Sequence, residues 1–126
     1  MKKVIVAGSR NITSYELVEE TLLAWMGWYD ITSRDMTIVS GTARGVDQLG
    51  EQFARDYATD LIKMPADWDR FGKSAGYKRN REMAKVADAA VIFWDGESKG
   101  TKHMIDLAKE YNLKLHVFTP DGWEMS

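Results

Sequence analysis

Short apolar runs, each ending in a glycine-rich or polar stretch, recur four times along this 126-residue chain. Val4-Ile5-Val6-Ala7 leads into Gly8-Ser9-Arg10-Asn11, and Thr37-Ile38-Val39 into Ser40-Gly41-Thr42-Ala43-Arg44-Gly45. Leu61-Ile62-Lys63-Met64 leads into the segment from Pro65 to Gly76, and Ala90-Val91-Ile92-Phe93-Trp94 into Asp95-Gly96-Glu97-Ser98-Lys99-Gly100-Thr101. Short runs of this kind, bounded by turn residues, suit buried strands. As parallel strands they carry all four loops to one edge of a single sheet, the edge where open α/β sheets bind ligands.

Helical patterns fill the intervals. Thr13-Ser14-Tyr15-Glu16 offers a capping box, after which Leu17, Val18, Leu22, Trp25 and Met26 recur at helical spacing. Val46 to Tyr57 places Leu49, Phe53 and Ala54 on one face, and 75–87 places Met83, Val86 and Ala87 inward. A further helix is expected over 101–111. Strands are expected at 3–7, 36–40, 60–64, 89–94 and 114–118, with a long loop at 65–74 and a break at Pro120-Asp121-Gly122. Strands alternating with helices predict an α/β domain over residues 1–126, its parallel sheet covered on both faces.

Composition narrows the function classes. No apolar stretch approaches the ~18 residues of a membrane span. The basic start Met1-Lys2-Lys3 is followed by an apolar run that stops at Gly8, too short for a signal peptide. There is no cysteine, which removes disulfides, thiolate zinc sites and thiol nucleophiles. His103 and His116 are too few for a metal site, so neither metal nor cofactor is expected. Cytoplasmic residence fits this composition. The net charge is −2, unlike a strongly electrostatic nucleic-acid binder. Between Lys63 and Lys85, however, seven basic residues stand against three acidic ones. Such a patch suits a small anion such as a phosphate, and equally a solvated helix face.

The loops supply anion-binding chemistry. Gly8 allows a tight turn, with the Ser9 hydroxyl and Arg10 guanidinium beside it. Gly41 and Gly45 bracket Thr42-Ala43-Arg44 ahead of a helix, so backbone and helix N-terminus can approach a negative charge. This is neither a Walker loop nor a dinucleotide fingerprint, since it lacks both spacings. Asp47 either caps that helix or contacts a ribose hydroxyl. Ser98, Gly100 and Thr101 can hold a phosphate by hydroxyl and backbone donors. His103 reads as structural or exposed. Trp25, Trp28 and Tyr29 form an aromatic cluster suited either to the core or to a homo-oligomer interface.

Taken together, Gly8-Ser9-Arg10, Ser40-Gly41-x-Ala43-Arg44-Gly45-Val46-Asp47, Pro65-Ala66-Asp67-Trp68, Gly72-x-x-Ala75-Gly76-x-x-Arg79-Asn80-x-x-Met83 and Ser98-x-Gly100-Thr101 resemble the YspA-related branch of the SLOG (Smf/DprA–LOG) superfamily. The resemblance covers residues 3–118. It implies a Rossmann-like three-layer sandwich with a mostly parallel five-stranded sheet. It also implies nucleotides, nucleotide-derived signals or nucleic acid as ligands. The expected ligand contacts are Gly8, Ser9, Arg10, Ser40, Gly41, Arg44, Gly45, Asp47, Trp68, Arg79, Asn80, Ser98, Gly100 and Thr101. Arg79 pairs with phosphate or positions ribose, and Asn80 orients Arg79 or closes the loop. Trp68 covers a base or, alternatively, pins its loop to the core.

Two resembling groups give alternatives. In LOG-type phosphoribohydrolases, which cleave the N-glycosidic bond of nucleoside monophosphates, an Arg-Lys-x-x-Met motif resembles Arg79-Asn80-Arg81-Glu82-Met83. The position of that family's glutamate is Met104 here, which cannot stabilise a cationic sugar. Asp106 lies two residues on, roughly 200° round the helix. The remaining candidates for catalysis are Arg79, Asp106 and the loop carboxylates Asp95 and Glu97. DNA-processing protein A, a single-stranded DNA binder, shares the first two loop motifs, and Trp68, Phe71 and Tyr77 offer stacking surfaces. The acidic chain places nucleic acid behind a nucleotide-derived small ligand, such as an ADP-ribose-type signal, taken up by a sensor or sequestering protein.

Overall fold

The computed structural model describes residues 2–125; Met1 and Ser126, the ends of the predicted domain, lie outside the described residues. Five strands form one sheet in the order β3-β2-β1-β4-β5: β1 Lys2–Gly8, β2 Met36–Ser40, β3 Asp60–Lys63, β4 Ala89–Phe93 and β5 Lys114–Phe118. Every strand pairing is parallel, for example Ile5 with Val39 on one side and with Ala90 on the other. The sheet is therefore wholly parallel rather than mostly so. Beyond β5 the chain turns at Pro120-Asp121-Gly122 and comes back, making an antiparallel bridge from Glu124 to Phe118. The expected break is thus a reversal that shields the sheet edge.

Side-chain alternation along β1 explains the three layers. Val4 and Val6 point into a core beneath helices α1 (Tyr15–Trp28) and α2 (Val46–Tyr57), with Leu22, Trp25 and Phe53. Ile5 and Ala7 point into the opposite core, beneath α4 (Ala75–Val86) and α5 (Lys99–Glu110), with Met83, Met104 and Leu107. Both faces of β1 are covered, so its run is apolar throughout, as central parallel strands require. The edge strands β3 and β5 are only partly buried.

Local chemistry sets the helix boundaries. Ser14, not Thr13, caps α1: its Oγ accepts from the Leu17 N–H at 3.2 Å. The segment 65–74 is not a plain loop. Asp67 caps a single turn, α3 (Trp68–Phe71), by accepting from the Arg70 N–H at 3.2 Å, and a 3₁₀ turn at Gly72–Ser74 feeds α4. α5 begins at Lys99, two residues ahead of the expected start, because Ser98 is its cap. Of the aromatic cluster, Trp25 is fully buried, Trp28 is exposed, and the Tyr29 hydroxyl bonds His116 at 2.6 Å. No helix among the described residues is long and apolar enough to cross a membrane.

Candidate ligand site at the strand switch point

With β1 central, the chain winds outward to β3 on one side and to β5 on the other. The connections from β1 and β4 therefore leave on opposite faces, α1 on one and α5 on the other. Their loops diverge and leave a crevice at the carboxyl edge. Ser9 ties the base of that crevice together. Its N–H donates to the Phe93 carbonyl at 3.0 Å, and its Oγ accepts from the Asp95 N–H at 3.1 Å. Ser9 is buried and its hydroxyl is spent on this tie, so its place is structural rather than at the ligand surface.

A cavity of about 220 Å³ opens above the tie. Its wall takes Gly8 and Arg10 from the first loop, Ala43 and Asp47 from the second, and Trp68 and Lys73 from the segment before α4. α4 contributes Gly76, Tyr77, Arg79 and Asn80; the start of α5 contributes Ser98, Gly100 and Thr101; Ala7, Met83 and Met104 complete the lining. Three cations and one carboxylate thus face it. Nine of the fourteen expected contacts converge here. Ser9, Ser40, Gly41, Arg44 and Gly45 do not line it.

The second loop supports the cavity from behind. Ser40 is fully buried, donating to Glu51 Oε2 at 2.7 Å and accepting from the Thr42 N–H at 3.1 Å. Arg44 is exposed and does not reach the cavity. Gly45 has φ +82 and packs on the Arg10 backbone, where an added Cβ would stand 2.8 Å from Arg10 Cα. Gly41 accepts a hydrogen bond from Arg79 Nη1 through its carbonyl. A Cβ on Gly41 would stand 2.6 Å from that nitrogen and 2.9 Å from Asp47 Oδ2. Glycine is required there because a guanidinium passes over the backbone.

Arg79 is held from two directions, since its Nε also donates to Asn80 Oδ1 at 3.0 Å. Asn80 in turn donates to the Gly100 carbonyl at 3.3 Å and bonds His103 Nδ1 at 3.2 Å. It therefore orients Arg79 and ties α4 to α5 at once. Burial lowers the Arg79 pKa and the neighbouring Arg10 adds to this, while Asp47 opposes both. Asp47 does not cap α2, whose cap position is Gly45; its Oδ2 accepts from the Ala43 N–H at 3.1 Å. Burial pushes the Asp47 carboxyl up to about 6, against the pull of the Ala43 N–H and the Arg79 guanidinium.

At the start of α5, Ser98 Oγ bonds Thr101 Oγ1 at 3.0 Å and accepts from the Thr101 N–H at 3.4 Å. Asp95 closes the preceding loop on itself, accepting from the Glu97 and Ser98 N–H groups at 2.9 and 2.8 Å, which lowers its pKa. Glu97 is exposed outside the cavity, and Asp106 faces solvent in an ion pair with Lys102 at 2.6 Å. Neither carboxylate reaches the site; the one that does is Asp47. Trp68 lines the cavity and is 52% exposed, so it is not a core anchor. Lys73 and Gly76 were not among the expected contacts. Their signal was the basic run itself, hidden because the turn that brings Lys73 round was not legible.

Similarity to known proteins agrees with this architecture. The gene 61 protein of Mycobacterium phage D29 is 29% identical over 127 residues, covering 94% of this chain and 97% of that one. DNA processing protein A from Helicobacter pylori, whose structure is described for its single-stranded DNA binding mode, superposes with a TM-score of 0.64 at 22% identity. DNA processing protein A from Streptococcus pneumoniae superposes with a TM-score of 0.69 at 19% identity. The chain is matched over 93% and 94% of its length, yet it spans only 65% and 49% of those two structures. They show a shared fold. The model of the YspA, cpYpsA-related SLOG family (YAcAr) matches residues 2–71, from β1 through the α3 turn, and the chain belongs to that family.

Proposed function

We propose that this chain binds a nucleotide or nucleotide-derived ligand, such as an ADP-ribose-type signal, in the switch-point cavity, and acts as a sensor or sequestering protein. The observation that carries the reading is Arg79, half-buried and fixed by Gly41 and Asn80 beside the start of α5. A guanidinium held in this way meets a phosphate without losing further side-chain freedom, and the helix N-terminus favours the same charge. Arg10 and Lys73 add positive charge, while Trp68 and Tyr77 offer flat surfaces for a base.

Phosphoribohydrolase activity is the less supported reading. Glycosidic cleavage draws on carboxylates at the scissile bond, and Asp47 alone lines the cavity, with its Oδ2 engaged by Ala43. Single-stranded DNA binding has a specific observation in its favour: the fold likeness to the Helicobacter pylori protein, together with exposed Trp68, Phe71 and Tyr77 near basic side chains.

A thermal-shift screen with AMP, ADP-ribose, NAD and a short oligonucleotide separates these. A ligand at 100 times its dissociation constant adds about 2.7 kcal/mol of stability. A shift with a small nucleotide that survives added salt, and no turnover, is the expected result. A shift with oligonucleotide alone, falling steeply with salt, favours the DNA reading. No shift with any ligand contradicts the proposal.

A further inference from the structure

The switch-point cavity is small for the ligand assigned to it. Small-molecule sites usually enclose about 300–1,000 Å³, and this one encloses about 220 Å³. A second cavity of about 820 Å³ adjoins it, and Tyr77 and Arg79 line both. The two differ in chemistry. The first is polar and cationic, with Arg10, Lys73 and Arg79. The second has apolar and aromatic walls from Met64, Pro65, Phe71 and Tyr77, with Lys78 and Arg81 also lining it.

Phe71 is the flat element of that second cavity. It stands on the α3 turn, partly exposed, with the Lys78 ammonium 4.8 Å and the Arg70 guanidinium 5.0 Å from its ring centroid. Both cations lie over the ring on exposed side chains, so a planar, electron-rich base reaches the Phe71 face by displacing one of them, and stacking of this kind is tolerant of base identity. Arg79, at the junction, spends Nε on Asn80 and Nη1 on Gly41. Its Nη2 has no hydrogen-bond partner among the described residues, and it lies beside Gly76 on the wall of the first cavity.

We infer that the ligand is bipartite: two nucleosides joined through phosphate, with the phosphate on Arg79 and the second base in the neighbouring cavity against Phe71 and Tyr77. The inference rests on the nucleotide reading of the first cavity and adds the ligand class. Two sources share this chemistry, a free pyrophosphate-linked dinucleotide and two successive nucleotides of a single strand.

Calorimetry at one ionic strength with AMP, NAD and the phosphodiester dinucleotide pApA tests it on the intact chain. The expected result is that NAD or pApA binds at least ~5-fold more tightly than AMP, the low end of one added base stack. A preference for NAD identifies the free dinucleotide, and a preference for pApA the strand. Phe71→Ala is expected to erase the gain while AMP affinity stays within about twofold, and Lys78→Ala to reduce it by about threefold. Equal binding of all three ligands overturns the second cavity and leaves the first standing. So does a Phe71→Ala variant that keeps the dinucleotide gain, or one that weakens AMP as much as the dinucleotide. Binding of none of the three overturns the nucleotide reading and this inference together.

Discussion

The loops after β2 and β4 have similar sequences, both mixing glycine with serine and threonine, and both end at helix N-termini on the same sheet edge. They use their polar atoms in opposite ways. In the first, Ser40 turns inward to Glu51, and the Ala43 N–H turns back to Asp47, so the loop is consumed in supporting Arg79 through the Gly41 carbonyl. In the second, Asp95 closes the turn, and Ser98, Gly100 and Thr101 are left on the cavity wall. The helices that follow explain the difference. α2 carries buried Asp47 and Glu51, which give the β2 loop internal partners. α5 carries buried Met104 and Ile105 after its first turn, and the polar partner it gives the β4 loop, Thr101, itself lines the cavity. A glycine-rich loop is support or surface according to the polar residues of the next helix.

The largest expected effect concerns the carboxylate that separates the two roles. The Asp47 pKa is raised on folding to about 6 from 3.8, so the native state binds more protons than the unfolded state between those values. Stability is then fully present below about pH 4 and is lost as pH rises through about 6, by on the order of 2–3 kcal/mol for a shift of this size. Urea melts from pH 4.5 to 7.5 should show this slope in the wild type and a flatter profile in Asp47→Asn. Parallel profiles would place Asp47 in a better solvated site.

Arg79→Ala should weaken AMP by roughly 10- to 150-fold, the range for a lost charge-assisted hydrogen bond, as read by calorimetry. Gly41→Ala should lose a similar amount by displacing the guanidinium, whereas an unaffected Gly41→Ala would break the assignment of the β2 loop as its support.

The serines then sharpen the contrast. Ser40→Ala removes the donor to buried Glu51 Oε2, leaving Glu51 only its ion pair with Lys63, and should cost about 1–3 kcal/mol of stability, with AMP affinity retained. Ser98→Ala removes the α5 cap, should cost about 1 kcal/mol, and should weaken AMP as well. Equal effects of the two on binding would erase the distinction. The smallest effect is at Gly100, where an added Cβ meets nothing within 4 Å. Gly100→Ala should raise stability by a few tenths of a kcal/mol up to about 1 through helix propensity, measured by melting.

The sheet was legible because its strands are short apolar runs cut off by glycine and polar residues, a signal set by burial on both faces. The wholly parallel pairing and the strand order are tertiary facts, and the α3 turn hid because it depends on one cap, Asp67. At the site, the residues that line the cavity lie at sequence positions where a loop meets a helix, which local patterns reveal. Ser9 and Ser40 misled because a hydroxyl near a glycine has the same sequence signature whether it faces ligand or Glu51. Glu97 misled similarly, since proximity in sequence to Gly100-Thr101 says nothing of which way a loop turns, whereas the turn of Asp106 away from the glutamate position follows from helical periodicity. Lys73 comes to the cavity through the 3₁₀ turn at Gly72–Ser74; the basic run signalled it, but no local pattern placed it.

The most direct test of the central claim is an amide chemical-shift titration of the labelled chain with AMP. The expected result is a set of perturbations confined to residues 8–10, 43–47, 68, 73–80 and 98–101, with the exposed Trp28 and Trp123 indoles unchanged. Perturbations centred on Trp28 and Trp123, or none at saturating AMP, would contradict the assignment of the switch-point cavity as a nucleotide site.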